Sequence, residues 1–490
     1  MKKNKSRNKP RDLLSGELLY FSDDDVFTVR DACEGALILG GVGSGKSSGS
    51  GNALARAYLE ADFGFLVLCA KVDERARWQQ YAKETGREDD LVIISAESGI
   101  CFNLLSYMFG VFGKGAGIEN IVTTILDACE VANRGGGSGA GEEGFWRNAK
   151  RSLLRNALLP LSLCKDISFS SLISFIRSAP RTPEQAKSRE WAESSFFFAC
   201  IEQVRQVQKG LSPDDPLYID IEESSQYWFL EFAAMNPRTQ QSVMSDFLST
   251  IEPFSRGMLR TLFSTTTDIL LEDVFDGKIL VLDFPVKDWL SEGVFIQGLL
   301  KRLFQQAAER RVIKDNTRPA VLWCDELQNF TDPYDIDFLS TSRSARVCTV
   351  YITQNISNIY ATLGSDAAGR SLADSLMANL SLKIFHANND GVTNKWAADL
   401  IGQEWKTSIS YSHSQNPDTD LLDTIFGFGG GGNSSASISK VYKYKYEAHE
   451  FATLLKGGDK NDYIVEAVIV STNRWKASNS NWLVVSFSQC

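Results

Sequence analysis

Residues 40–47 read Gly-Gly-Val-Gly-Ser-Gly-Lys-Ser, a complete match to G-x-x-x-x-G-K-[ST]. The apolar run Ala36–Leu39 before it reads as a buried strand. From Lys46 a helix is expected through Ala53, Ala57 and Leu59, despite glycines at 49 and 51. A strand that feeds a helix through a glycine-rich turn is a phosphate cradle. Backbone N–H groups turn inward, and the helix N-terminus adds the positive end of its dipole. In such a loop Gly40, Gly41, Val42, Gly43, Ser44, Gly45 and Ser48 wrap the phosphates. Lys46 reaches the β- and γ-phosphates, and Ser47 ligates Mg²⁺. This unit points to an α/β fold built around a phosphate-binding loop.

The other strands of such a fold can be found. Buried apolar runs recur at 63–70, 91–96, 278–285, 319–326, 347–354 and 380–387, with helical segments between them. Apolar strands alternating with helices predict a parallel sheet covered on both faces. From about 107 to 270 the pattern is helical with almost no strand signal, as in 118–132, 145–164, 169–178 and 191–208. Another helix is expected over 294–313. The division expected is a basic tail at 1–19, a sheet domain split into 20–106 and 271–405, and an all-α insertion at 107–270. A last segment, 406–490, carries the glycine-rich FGFGGGG at 426–432 and two closing strands at 462–472 and 481–489. The stretch RGGGSGAGEEG at 134–144 is a loop by composition.

The run Val321–Cys324 ends in two acids, Asp325 and Glu326. A buried strand ending in Asp is where a phosphate-loop fold places the carboxylate that holds Mg²⁺. An acid directly after it is placed to polarise an attacking water, which makes Glu326 the candidate general base. Nucleotide kinases and small GTPases generally lack this pair, so a motor-type ATPase is favoured. The guanine-reading N-K-x-D is also missing, because Trp396 and Ala397 follow Asn394-Lys395. ATP is therefore the expected nucleotide. Gln354 ends the next strand and is placed to sense the γ-phosphate or orient water. Arg343 lies eleven residues before it, with Arg346 nearby. Either arginine faces a neighbouring subunit's nucleotide or pairs locally with acids such as Asp335 and Asp337.

Net charge is −10 over 490 residues, yet six of the 51 basic residues and no acid fall within residues 1–11. Any nucleic-acid contact must then be local rather than spread over the surface. Bases at 147, 150, 151 and 155 fall on one or two helical faces, either toward DNA or toward solvent. The nine cysteines form no C-x-x-C pair, which fits buried thiols in a reducing compartment. No apolar run approaches membrane-spanning length. The expectation is a soluble cytoplasmic protein that reaches the inner membrane, if at all, through partners.

Taken in order, GGVGSGKSS, VLCAKVDE (67–74), FNLL (102–105), FWRNAKRSLL (145–154), GKILVLDFP (277–285), VLWCDELQNF (321–330), STSRSARVCTVYITQNISNI (340–359) and NLSLKIFHA (379–387) resemble the type IV secretion coupling proteins of conjugation, the VirD4/TraG/TraD group. That group lies within the wider FtsK/HerA class of ring-shaped DNA translocases. The similarity covers roughly 35–405. It implies a RecA-like sheet domain with an all-α insertion, assembled as a homo-hexamer around DNA without sequence preference. It also implies ATP hydrolysis at subunit interfaces, and a relaxase and secretion-channel components as partners. The family roles fall on Lys46, Ser47, Asp325, Glu326 and Gln354, with Arg343 as a finger acting in trans. Two departures stand out. Typical members begin with two membrane spans, which this chain lacks. Their Asp-Pro-Lys-Gly after the second strand is here Cys69-Ala70-Lys71-Val72, so only the lysine remains. Two other readings stay open: a HerA/FtsK-like translocase in plasmid maintenance or defence, and a scaffold gated by ATP with little turnover.

Overall fold

The computed structural model describes residues 13–113, 117–134, 143–414 and 433–489. The basic run at 1–11, most of the glycine-rich stretch at 134–144 and the FGFGGGG run at 426–432 lie outside the described residues. The strands are β1 (Glu17–Tyr20), β2 (Val26–Thr28), β3 (Ala36–Leu39), β4 (Gly64–Leu68), β5 (Leu91–Ser95), β6 (Ile279–Asp283), β7 (Ala320–Cys324), β8 (Val347–Thr353), β9 (Leu382–His386), β10 (Gln403–Ser414), β11 (Asn433–Tyr444), β12 (Ile464–Trp475) and β13 (Ser480–Ser488).

Nine of them form one sheet in the order β13-β12-β9-β3-β8-β7-β4-β6-β5. The seven strands from β9 to β5 are parallel. β12 joins β9 antiparallel, and β13 extends that edge. The central strands β3, β4, β7 and β8 are buried along their whole length, which is why they read as largely apolar runs. In β3, Leu37 and Leu39 join one apolar cluster while Ala36 and Ile38 join the other. On one face the helices Ser50–Glu60 and Glu74–Glu84 bring Leu54, Tyr58 and Trp78. On the other, the helix Val286–Arg310 brings Phe295, Leu299 and Leu303. Each fully buried Leu or Phe contributes about 1.5–3 kcal/mol.

All described regular structure between Leu104 and Phe263 is helical. The two ends of this stretch meet in a bridge between Phe102 and Thr267. Asn103 fastens the junction, donating from Nδ2 to the carbonyls of Ile167 and Thr265 at 3.0 and 3.1 Å. The fold is thus α/β, a RecA-like phosphate-loop sheet with an all-α insertion. Among the described residues no helix is long and apolar enough to cross a membrane.

Four expectations need correction. The helix after the glycine-rich loop begins at Ser50, not Lys46. Gly51 N bonds to Lys46 O, five residues back, and Gly49 is non-helical at φ −100°, ψ −99°, so the chain makes a wide turn first. The expected single helix over 191–208 is two, Arg189–Ser194 and Phe196–Gln208, because the Ser195 hydroxyl caps the second through Phe198 N. The helix expected over 294–313 runs from Val286 to Arg310 with a break at Leu290 (φ 43°, ψ −126°). Two hairpins were not expected at all: β1–β2 and the long pair β10–β11, neither of which joins the central sheet. The bases on the helix Glu143–Ser162 are held by local acids: Arg147 by Asp127 and Glu130, Lys150 by Asp246, and Arg151 and Arg155 by Glu119.

Candidate active site

Because β3, β4, β7 and β8 are parallel, their carboxyl ends open on one edge of the sheet. There β3 has β8 on one side and β9 on the other, the kind of point where open α/β sheets bind ligands. The loop after β3 turns through Gly43 (φ +68°) and Gly45 (φ +83°), left-handed positions that favour glycine. A Cβ at Gly45 would stand 2.6 Å from Val465 Cγ2, so β12 packs directly on the loop. Lys46 Nζ donates back to the carbonyls of Gly40 and Gly41 at 2.6 and 3.1 Å. Burial holds the Lys46 pKa below the ordinary lysine value, against the opposing pull of Asp325 and Glu326. Beneath the loop, His386 Nε2 meets Ser50 Oγ at 2.6 Å. Burial, with the Lys46 charge, pushes that imidazole down to about 3, so it is neutral.

At the end of β7, Asp325 Oδ2 accepts from Ser47 Oγ at 3.2 Å, and Asp325 Oδ1 caps Glu326 N at 2.9 Å. Glu326 is left-handed at φ 52°, ψ 54°, a conformation costing about 1–3 kcal/mol for a non-glycine residue. It persists because the carboxylate is held from three sides. Lys71 Nζ lies 2.7 Å from Oε1, while Gln328 Nε2 and Gln354 Nε2 reach Oε2 at 2.7 and 3.4 Å. Burial pushes the Glu326 pKa up, but Lys71, Gln328 and Lys46 outweigh it, and the net shift is downward. Lys71 behaves in the mirror sense: burial lowers it, and Asp325 and Glu326 more than restore it. Glu74, buried beside this pair, caps Ala70 N at 2.9 Å; burial and the Asp325 charge raise its pKa well above the carboxylate range.

The structure therefore brings Lys46, Ser47, Asp325, Glu326 and Gln354 to one edge. It does not bring Arg343 there. Arg343 precedes β8, whose seven residues separate it from Gln354 by roughly 20 Å. Its guanidinium is 59% exposed and pairs with Glu34 at 3.1 Å, not with Asp335 or Asp337. It lines an open cavity of about 430 Å³ with Arg30, Ser340 and Arg346. Ser48 Oγ accepts from Gln489 Nε2 at 2.6 Å, a link from the end of β13 to the loop.

Lys71, Glu74, Gln328, His386 and Gln489 are the neighbours that the sequence reading did not place. Lys71 directly follows a buried strand, as Asp325 does, but only the adjacency of β4 and β7 brings the two together. The donor set fits Mg²⁺: a hydroxyl and a carboxylate, both hard oxygen ligands, stand 3.2 Å apart at the loop.

This fold and site define a RecA-like phosphate-loop NTPase fold. Residues 319–447 match the family model described as the TraM recognition site of TraD and TraG. The fold is that of the bacterial conjugative coupling protein TrwBdeltaN70, at 14% identity and TM-score 0.60, covering 97% of this chain and 89% of that one. TrwB in complex with ADP and Mg²⁺ matches at 14% identity and TM-score 0.59, covering 94% and 86% of the two chains. TrwB with the ATP analogue ADPNP matches at 16% and 0.55, covering 94% and 87%. A search of curated proteins gives no match. The resemblance to the type IV secretion coupling proteins, first carried by the motifs, stands on the matched segment and on the fold.

Proposed function

We propose that this chain is an ATP-driven DNA translocase of coupling-protein type. The observation that carries the reading is the convergence of Lys46, Ser47, Asp325, Glu326 and Gln354 on the carboxyl edge of one parallel sheet. The domain division expected from the sequence belongs to the same proposal: sheet domain 20–106 with 271–405, helical insertion 107–270, last segment 406–490. The complexes of TrwB with ADP, Mg²⁺ and ADPNP support ATP and Mg²⁺ as the ligands here. The TraM recognition match supports a protein partner in DNA transfer, with a relaxase and channel components as the class of partner.

The residues divide the work. Lys46 leaves the Gly40 and Gly41 carbonyls and neutralises charge growing on the β- and γ-phosphates. Ser47 and Asp325 would hold Mg²⁺, which would supply positive charge against the phosphate oxygens. Glu326, ionised at neutral pH, takes the proton of the attacking water, and the Gln354 amide orients that water. Arg343, far from its own loop, reaches the nucleotide of the next subunit in a homo-hexameric ring. ATPase assays with and without DNA, together with negative-stain imaging in ATP, test the proposal. DNA-stimulated turnover and six-fold rings are expected. ATP binding with neither turnover nor a DNA response would favour the gated scaffold instead.

A further inference from the structure

The hairpin β10–β11 takes no part in the nucleotide site, and its base has an unusual surface for an acidic chain. The register sets Trp405 opposite Tyr442 and Thr407 opposite Lys440, so these four side chains share one face. The two rings pair at 5.2 Å between centroids yet remain 68% and 55% exposed. Lys440 shares their face, while Lys406, Lys443 and Lys445 fall at positions of the opposite face of the same ribbon, where Glu404 lies 4.0 Å from Lys406. Among the described residues Lys440, Lys443 and Lys445 form no ion pair, although Glu404 is the cross-strand neighbour of Lys443, whereas the bases on the helix Glu143–Ser162 are all paired.

We propose that the base of this hairpin is a contact surface for single-stranded nucleic acid. The inference rests on the motor reading and names the face that meets the polymer. Exposed ring faces can stack on bases only where the bases are unpaired, and stacking tolerates any sequence. Lysines without acidic partners attract phosphates, so the base of the ribbon, with Lys440 beside the rings and Lys443 and Lys445 on its other face, is complementary in charge to a polyanion although the chain carries −10. A partner that read sequence would need donors and acceptors aimed at base edges; the ribbon offers rings and ammonium groups.

The test uses the full chain, fluorescein-labelled oligothymidylate and a duplex of equal length, with anisotropy read across a salt series. Trp405→Ala/Tyr442→Ala should weaken oligothymidylate binding by about tenfold or more, with the salt slope kept. Lys440→Glu/Lys443→Glu/Lys445→Glu should flatten the log–log salt slope by about 2, at roughly 0.7 for each phosphate that is no longer neutralised. ATPase without DNA and sedimentation should match wild type in both variants. Wild-type affinity and slope in both variants would overturn the proposal while leaving the motor reading in place. A change in assembly without DNA, and none in DNA affinity, would assign the face to a second copy. Retained DNA binding with loss of a protein partner would assign it to that partner. Absence of DNA binding by wild type at any salt would instead sink the motor reading itself.

Discussion

Lys71 Nζ stands 2.7 Å from Glu326 Oε1 and 3.7 Å from Asp325 Oδ2, so one ammonium at the end of β4 spans both acids at the end of β7. The pairing of Leu68 with Cys324 in the sheet places these three residues side by side. Lys71 also stands where the coupling-protein motif keeps a lysine, although the residues around it have changed.

This relationship makes Lys71 a positioning residue for the base. Lys71→Met should leave ATP affinity near wild type and lower kcat on the order of tenfold, part of the 10²–10⁴ that a positioned base contributes. Lys71→Arg should recover some of the loss. Equilibrium binding of a fluorescent ATP analogue, measured beside kcat, separates the outcomes. A loss of affinity equal to the loss of kcat would place Lys71 on the nucleotide rather than on Glu326.

The acid and the loop lysine should separate in the same assay. Glu326→Gln keeps the shape, so ATP should still bind while turnover falls on the order of 10²-fold or more. Lys46→Ala removes the charge that meets the phosphates, and such an electrostatic contribution is roughly 3 kcal/mol or more. Its turnover should be abolished. Wild-type turnover by Lys46→Ala would displace the site from this loop.

The parallel sheet was readable because most of its central strands are short, largely apolar runs, such as Ala36–Leu39 between two glycines and Ala320–Cys324 before two acids. Lys46, Ser47, Asp325 and Gln354 could be named because each ends or follows such a strand. Strand order could not be read, and strand order is what joins Lys71 to Glu326. The link from Gln489 to Ser48 spans 441 residues, and local spacing carries no trace of it. The β10–β11 hairpin escaped for a different reason. Its strands pair with each other and not with the central sheet, so the buried apolar runs that mark the sheet strands do not extend to it.

Behind the site lies a buried ion pair that sequence spacing also concealed. Lys301 and Asp335, both fully buried, meet at 2.6 Å, and Lys301 also donates to Phe330 O at 2.7 Å. Asp335 further accepts from Gln305 and Tyr351. The pair ties the helix Val286–Arg310 to the segment after Glu326. Lys301→Met leaves an unpaired buried carboxylate and should destabilise the chain by about 3–5 kcal/mol. Lys301→Met/Asp335→Asn should recover part of that. Urea unfolding midpoints of the single and double variants measure the difference. Equal loss in both would show that the helix, not the charge pair, sets the stability there.

Arg343 is the residue whose role depends most on assembly. It lies roughly 20 Å along β8 from its own Gln354, too far to reach the phosphates held by Lys46 in the same chain. A guanidinium from the next subunit would stabilise charge in the transition state that the loop leaves exposed. Arg343→Ala alone should then bind ATP normally and hydrolyse it poorly. Lys46→Ala alone should be inactive but still carry a working arginine. Mixed in one ring, the two create some interfaces with an intact loop on one side and an intact arginine on the other, and activity should partly return. Suppose mixing restores nothing under conditions shown to exchange subunits, while wild-type subunits stay active in such rings. Arg343 would then act within its own chain, through Glu34, and its effect would be structural. Full activity of Arg343→Ala by itself would move the assignment to Arg346 or to an arginine of the helical insertion.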